Sequence, residues 1–222
     1  MRIFVTRASA TAALLFVLIG IQTSDIYGQT KSGHKLGSKE FCSSNYYSSG
    51  DKFPFNEVRE FTVPASGTLS VDGGKNGGIA VKGANVSDIQ VKACVNAWGS
   101  SEEAARAVAR NIRIDTAGTI KAENGADDSH WSVSYLITVP RSTNLELSAK
   151  NGGISIAGVA GDLKFETMNG GISLKDVSGD VRGRTTNGGV SVDLSGASWI
   201  GNGLDVTTTN GGVHLSIPAN YA

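Results

Sequence analysis

Proline is scarce in this chain, with 4 in 222 residues, which argues against a proline-rich spacer or stalk. Cysteine and histidine are also few. Two cysteines and three scattered histidines (His34, His130, His214) cannot supply a zinc module with recognisable ligand spacing. Charge of one sign is missing altogether, since Lys+Arg and Asp+Glu both number 20. A balanced chain gives no electrostatic reason to expect nucleic acid or anionic lipid as partner. Long hydrophobic runs are lacking too. The uncharged stretch Ala8–Ile21 has 14 residues, short of the roughly 20 that span a bilayer as a helix.

That stretch follows Arg2 and Arg7 and precedes polar "QTSD". The layout is that of a secretory signal peptide over 1–28, with cleavage expected after Gly28. An uncleaved N-terminal anchor is the alternative. With the signal removed, no membrane span is expected, and the protein is exported to the periplasm, the cell surface or the medium. In an exported chain two cysteines most simply form one disulfide, Cys42 with Cys94. Two unrelated thiols, one of them buried, remain the other reading.

Residues 29–53 are polar and aperiodic and read as a flexible leader. From there to residue 222 the chain reads as one domain, 54–222. Its 29 glycines are spread among Val, Ile, Thr and Ser, which suggests tight turns between short strands. Alternating runs such as "REFTV", "GTLSV" and "DIQVKACV" carry the period-two strand signal. One stretch departs from it. "SSEEAARAVARNI" predicts a helix near 101–111, with Ser100 and Glu103 as a capping box and Ala105, Val108 and Ala109 as its apolar face.

From Leu145 the chain repeats. Asn-Gly-Gly recurs at Asn151, Asn169, Asn187 and Asn210, with spacings of 18, 18 and 23 residues. A further copy, "KNGGIAV", lies upstream. Each unit holds two short strands joined at the NGG corner and closed by "SGD" or "AGD". A fixed short period of this kind predicts an all-β fold, a β-solenoid of about 18 residues per coil with one short helix. The corner is expected to need Asn-Gly for its tolerance of positive φ, and the four asparagines to stack as a ladder. Alignment on NGG alone gives apolar inward columns: Ile154/Ile172/Val190/Val213, Ile156/Leu174/Val192/Leu215, Leu145/Leu163/Val181/Leu204 and Leu147/Phe165/Gly183/Val206. Glycine leaves a gap in the last of these. Opposite charges meet in four outward places: Glu146/Lys164, Arg182/Asp205, Glu166/Arg184 and Lys175/Asp193. The final repeat ends at "PANYA" without a capping segment, so either the natural domain is longer or this open end associates with another copy.

Chemistry is hard to find. A phosphate cradle needs a helix after its glycines, and here a strand follows each NGG. Calcium β-rolls need G-G-x-G-x-D, and Ser155 and Ala157 replace the required Gly and Asp. Asp162 and Asp180 stack at the other corner, where turn hydrogen bonds explain them better than a cation. Ser191, His214 and Asp193 resemble a triad only as a list of names. The outward columns offer no acidic cluster for glycoside chemistry. No catalytic residue, metal or cofactor is expected, and the protein is read as not an enzyme. Trp199, in the enlarged turn "GASWIGNG", is the best candidate for stacking on a ligand such as a sugar. Packing is the expected role of Trp98 and Trp131.

The NGG[IV] and SGD units, preceded by an "EEAARAVARNI" helix and a "YLITVP" strand, resemble the bacterial putative-adhesin domain family over about residues 60–218. That resemblance implies a β-solenoid in an exported or envelope protein with a structural or binding role. It transfers no functional residues. A surface glycan or a protein is the partner class it leaves open. A carbohydrate-binding or polysaccharide-active β-helix is the alternative.

Overall fold

The computed structural model describes residues 41–42, 52–65, 67–124 and 130–221. The proposed signal peptide, and all of the leader except 41–42 and 52–53, lie outside the described residues. In chain order the strands are β1 (Phe53–Pro64), β2 (Thr68–Asp72), β3 (Ile79–Ala84), β4 (Asp88–Gly99), β5 (Ile112–Asp115), β6 (Ile120–Asn124), β7 (Trp131–Pro140) and β8 (Asn144–Ala149). They continue as β9 (Ile154–Ala157), β10 (Ala160–Asn169), β11 (Ile172–Lys175), β12 (Ser178–Asn187), β13 (Val190–Asp193), β14 (Gly203–Asn210) and β15 (Val213–Ser216). One helix, α1 (Glu102–Asn111), lies between β4 and β5. The protein is therefore mostly β.

The strands form two sheets, ordered β1-β4-β7-β3-β9-β11-β13-β15 and β14-β12-β10-β8-β2-β6-β5. From β8 onward each repeat gives one strand to each sheet, and successive repeats pair in parallel. The register is the one read from NGG: Ile154, Ile172, Val190 and Val213 are successive partners, as are Leu145, Leu163, Val181 and Leu204. Because strand side chains alternate, this register turns one apolar set inward from both sheets. Leu145, Leu147, Ile154, Ile156, Leu163, Phe165, Ile172, Leu174, Val181, Val190 and Val192 are all buried in one cluster. Each such side chain contributes about 1.5–3 kcal/mol on burial. The gap at Gly183 is filled from the neighbouring strand, because a Cβ there would lie 1.8 Å from the Phe165 ring.

Spatial order departs from chain order at the upstream copy. β2 pairs with β8 on one side and β6 on the other, and β3 lies between β9 and β7. The chain thus lays down β2 and β3, leaves for β4, α1 and β5, and returns with β6 and β7 beneath them. The first three strands of the eight-stranded sheet, β1, β4 and β7, are antiparallel. Helix α1 makes this transition. Its N-cap is Ser101, whose Oγ accepts the Ala104 N–H at 3.1 Å, one residue later than the predicted box at Ser100 and Glu103. Ser101 prevails because its own backbone is extended (φ −149°) and aims the hydroxyl at the first turn. Ala105 and Ala109 are buried, and Val108 packs partly against the core. Arg59 of β1 donates to the Ala109 and Ile112 carbonyls at 2.8 and 2.5 Å, satisfying the helix C-terminus.

The corner glycines are needed for a different reason from the one expected. None of Gly77, Gly152, Gly170, Gly188 and Gly211 has positive φ. A Cβ on Gly152, however, would lie 2.1 Å from the Gly77 carbonyl oxygen, and one on Gly170 2.2 Å from that of Gly152. Gly188 and Gly211 repeat the contact at 2.1 Å. The first glycine of each NGG is fixed by the close approach of the neighbouring corner. The second is less confined, since a Cβ on Gly171 would meet Gly189 O at 3.4 Å. Gly170→Ala is therefore expected to cost about 2–4 kcal/mol in urea unfolding, and Gly171→Ala less than about 1 kcal/mol. Equal costs would contradict the close-approach account.

Candidate functional site

The four predicted asparagines do stack, and a fifth joins them. Asn210, Asn187, Asn169 and Asn151 each donate Nδ2–H to the Oδ1 of the preceding member, at 2.8, 2.7, 2.8 and 3.1 Å, ending on Asn76. Behind this ladder runs a threonine column. Thr167, Thr185 and Thr208 donate to Gly152, Gly170 and Gly188 carbonyls at 2.7–2.8 Å. Every rung thus ties one corner to the next, and the ladder has two ends. Among the described residues the last printed rung of the ladder is the one that ends on Asn76.

Trp199 lies in the enlarged turn and packs partly against the core, with its Nε1–H donated to Gly179 O at 3.2 Å. Its polar edge is thus occupied by its own chain. Asp162 and Asp180 are register partners, and each faces a cation two residues along its own strand: Lys164 at 2.9 Å and Arg182 at 3.0 Å. These contacts also correct the predicted charge columns. Of the four expected cross-strand pairs, Arg184–Glu166 closes at 2.6 Å, whereas Lys164 and Arg182 turn to the aspartates on their own strands. Residues two apart share a strand face and compete on equal terms with the residue opposite. Ser191 and His214 are cross-strand neighbours on the exposed face, with Asp193 opposite Ser216.

A cavity of about 780 Å³ opens where the ladder ends. Its walls are the turn Gly73–Asn76 after β2, the end of α1 and start of β5 at Asn111 and Arg113, the end of β6 at Ala122–Asn124, and the start of β7 at Trp131–Val133. The turn is held rigidly: Gly74 N–H donates to Asp72 Oδ1 at 2.8 Å, and the Gly74 and Lys75 carbonyls accept from Lys150 and Asn151 at 3.1 and 3.0 Å. Trp131 Nε1 is buried with no hydrogen-bond partner. Tyr135 Oη, on the same inward face of β7, is the other such side-chain atom among the described residues. Burial, and then the Asp72 carboxylate, push the Tyr135 hydroxyl pKa well up, so it stays a neutral donor. The one carboxylate among the described wall residues, Glu123, is paired with Lys121 at 2.6 Å, and that contact raises the Lys121 pKa.

No protein-family model matches the chain, and no curated protein matches it. Two solved structures are similar. A putative cell adhesion protein from Clostridium sporogenes ATCC 15579 shares 11% identity at a TM-score of 0.42, covering 75% of this chain and 100% of that one. A putative adhesin from Parabacteroides merdae ATCC 43184 shares 9% at a TM-score of 0.28, covering 73% and 96%. Likenesses this distant carry no argument about function.

Trp131 was placeable from the sequence only as a packing residue, because the signal that distinguishes it is an unsatisfied indole N–H. That is a property of the folded neighbourhood. Cys42 and Cys94 are joined by a disulfide with a Cα–Cα distance of 5.3 Å, across 52 residues. The bond fastens the segment before β1 to the middle of β4. Its reduction is expected to lower unfolding free energy by up to about 4 kcal/mol, the loop-closure value for that separation. Urea melts with and without dithiothreitol measure this, and coincident melts would contradict a structural role for the bond.

Proposed function

We propose that this protein is a non-enzymatic, exported binding module of the bacterial envelope, adhesin-like in role, built on a β-solenoid. In this reading the parallel 18-residue units are coils, and β2 and β3 form a coil inserted ahead of β8 and β9. The observation that carries the proposal is the cavity beside Trp131. It sits at the break in the repeat, on a preformed turn, with Lys75 and Arg113 on its wall. The Cys42–Cys94 disulfide supports export, since such bonds persist outside the reducing cytosol. The motif resemblance to the adhesin-domain family supports the envelope role. Among the described residues no helix is long and apolar enough to cross a membrane.

A binding role rather than turnover is favoured by the wall chemistry. Glycoside hydrolysis uses two carboxyl groups flanking the bond. Among the described residues this cavity offers Glu123 alone, and that group is already ion-paired. The test is a glycan array probed with the full chain, followed by chromatography of each retained glycan. Retention of a discrete subset, unaltered after overnight incubation, is the expected result. Shortened products would overturn the non-enzymatic assignment.

A further inference from the structure

We propose that the open end of the repeat array is a homodimer interface, closed by the same end of a second copy of this chain. β14 and β15 are the last strands of their sheets, and among the described residues nothing pairs with their outer edges. Between these edges the apolar layer is uncovered. Val213 is 54% exposed and Ile217 42%, whereas Val190, the partner of Val213 one repeat earlier, is buried. Leu204, Val206 and Leu215 are only partly buried. Two bare strand edges with apolar side chains between them are a template for further strands. The opposite end is built differently. There helix α1 lies beside β1, with the Arg106 guanidinium 4.8 Å above the Phe55 ring and Arg59 bonded to the Ala109 and Ile112 carbonyls. Head-to-tail stacking would oppose unlike surfaces, so the occupant that matches is the like end of a second copy.

The register carries the match. A two-fold axis normal to the sheets sets β14 against β14 and β15 against β15, both antiparallel. It keeps inward faces inward, so it must pass through a residue rather than between two. In β15 an axis through Leu215 pairs the exposed Val213 with Ile217 of the second copy, Leu215 with its own equivalent, and His214 with Ser216. In β14 an axis through Val206 pairs Leu204 with Thr208, Val206 with its own equivalent, and Asp205 with Thr207. The Thr208 hydroxyl is already donated to Gly188 O. Apolar residues therefore meet apolar residues at the centre of both strands, and no like charges stand opposite. One axis serves both strands. Val206 lies four residues before Asn210 and Leu215 four after Gly211, so the two stand level on either side of the corner. The proposal stands apart from the binding-module reading and survives if no glycan binds.

Sedimentation velocity of the full chain over a micromolar dilution series tests this. The expected result is a reversible dimer at twice the chain mass with no larger species, because a two-fold contact is closed. Val213→Lys and Ile217→Lys change exposed side chains. Each should weaken the dimer at least about tenfold, since an unpaired ammonium then enters an apolar layer. Either variant with a wild-type melting curve decides the matter if the other fails to fold. An oxidised mixture of His214→Cys and Ser216→Cys should form disulfide-linked pairs that neither variant forms alone, since Cys42 and Cys94 are already joined. A wild type that stays monomeric throughout overturns the proposal and leaves the open end to further chain or to a different protein. So does a dimer that survives both lysine substitutions, which places the contact elsewhere. A series of growing oligomers overturns it too, because that is the mark of head-to-tail stacking. Equal crosslinking by the single cysteine variants contradicts the register.

Discussion

In each NGG corner the carbonyl oxygen of one glycine occupies the space where the next corner would carry a Cβ. A Cβ on Gly152, Gly170, Gly188 or Gly211 would lie only 2.1–2.2 Å from that oxygen. This constraint brings neighbouring corners into backbone contact and so determines how closely the repeats stack. Once the corners touch, the Asn amides fall within hydrogen-bond reach, the threonine hydroxyls reach the glycine carbonyls, and the strands on either side take one register. The apolar columns follow from that register, as does the large Phe165 ring resting over Gly183. Hydrophobic burial supplies most of the free energy, but the corner decides which apolar residues meet.

A ladder built this way is uniform along its length and informative only where it stops. Within it the asparagine amides stack and the Gly152, Gly170 and Gly188 carbonyls each accept from a threonine. At Asn76 the repeat meets β5, β6 and β7, whose strands arrive from a different part of the chain, and Asn111 and Asn124 line the recess there. The mismatch leaves a recess walled in part by Trp131, whose buried indole N–H has no partner. Functional chemistry in a repetitive scaffold is expected at such faults, where the pattern that joins one repeat to the next is interrupted.

The period of 18 residues made the register and the asparagine stack legible before any coordinates, since equal spacing places equivalent residues side by side, although Val213, expected inward, is exposed on the last strand. The upstream NGG copy was legible as a copy but not as a neighbour. Sequence similarity does not reveal that 75 residues separate Asn76 from the asparagine stacked on it. The antiparallel strands β1, β4 and β7 read only as alternating runs, because alternation is the same in either direction. Ser101 prevailed over Ser100 as helix cap through its backbone angle. The prominence of Trp199 in the sequence came from an insertion, and the structure places its N–H on Gly179. The cavity itself is assembled from four separated segments, and no local pattern marks it.

The stacking of corners is most directly examined by amide hydrogen exchange. The main-chain N–H groups of Ile79, Ile154, Ile172 and Val190 donate to the second-glycine carbonyls of the neighbouring corner, Gly153, Gly171, Gly189 and Gly212, at 2.9–3.0 Å. If the corners hold the repeats together, these four amides exchange slowly and with a common free energy close to that of global unfolding. Fast exchange at these four positions, alongside protected amides within the strands, would contradict the account.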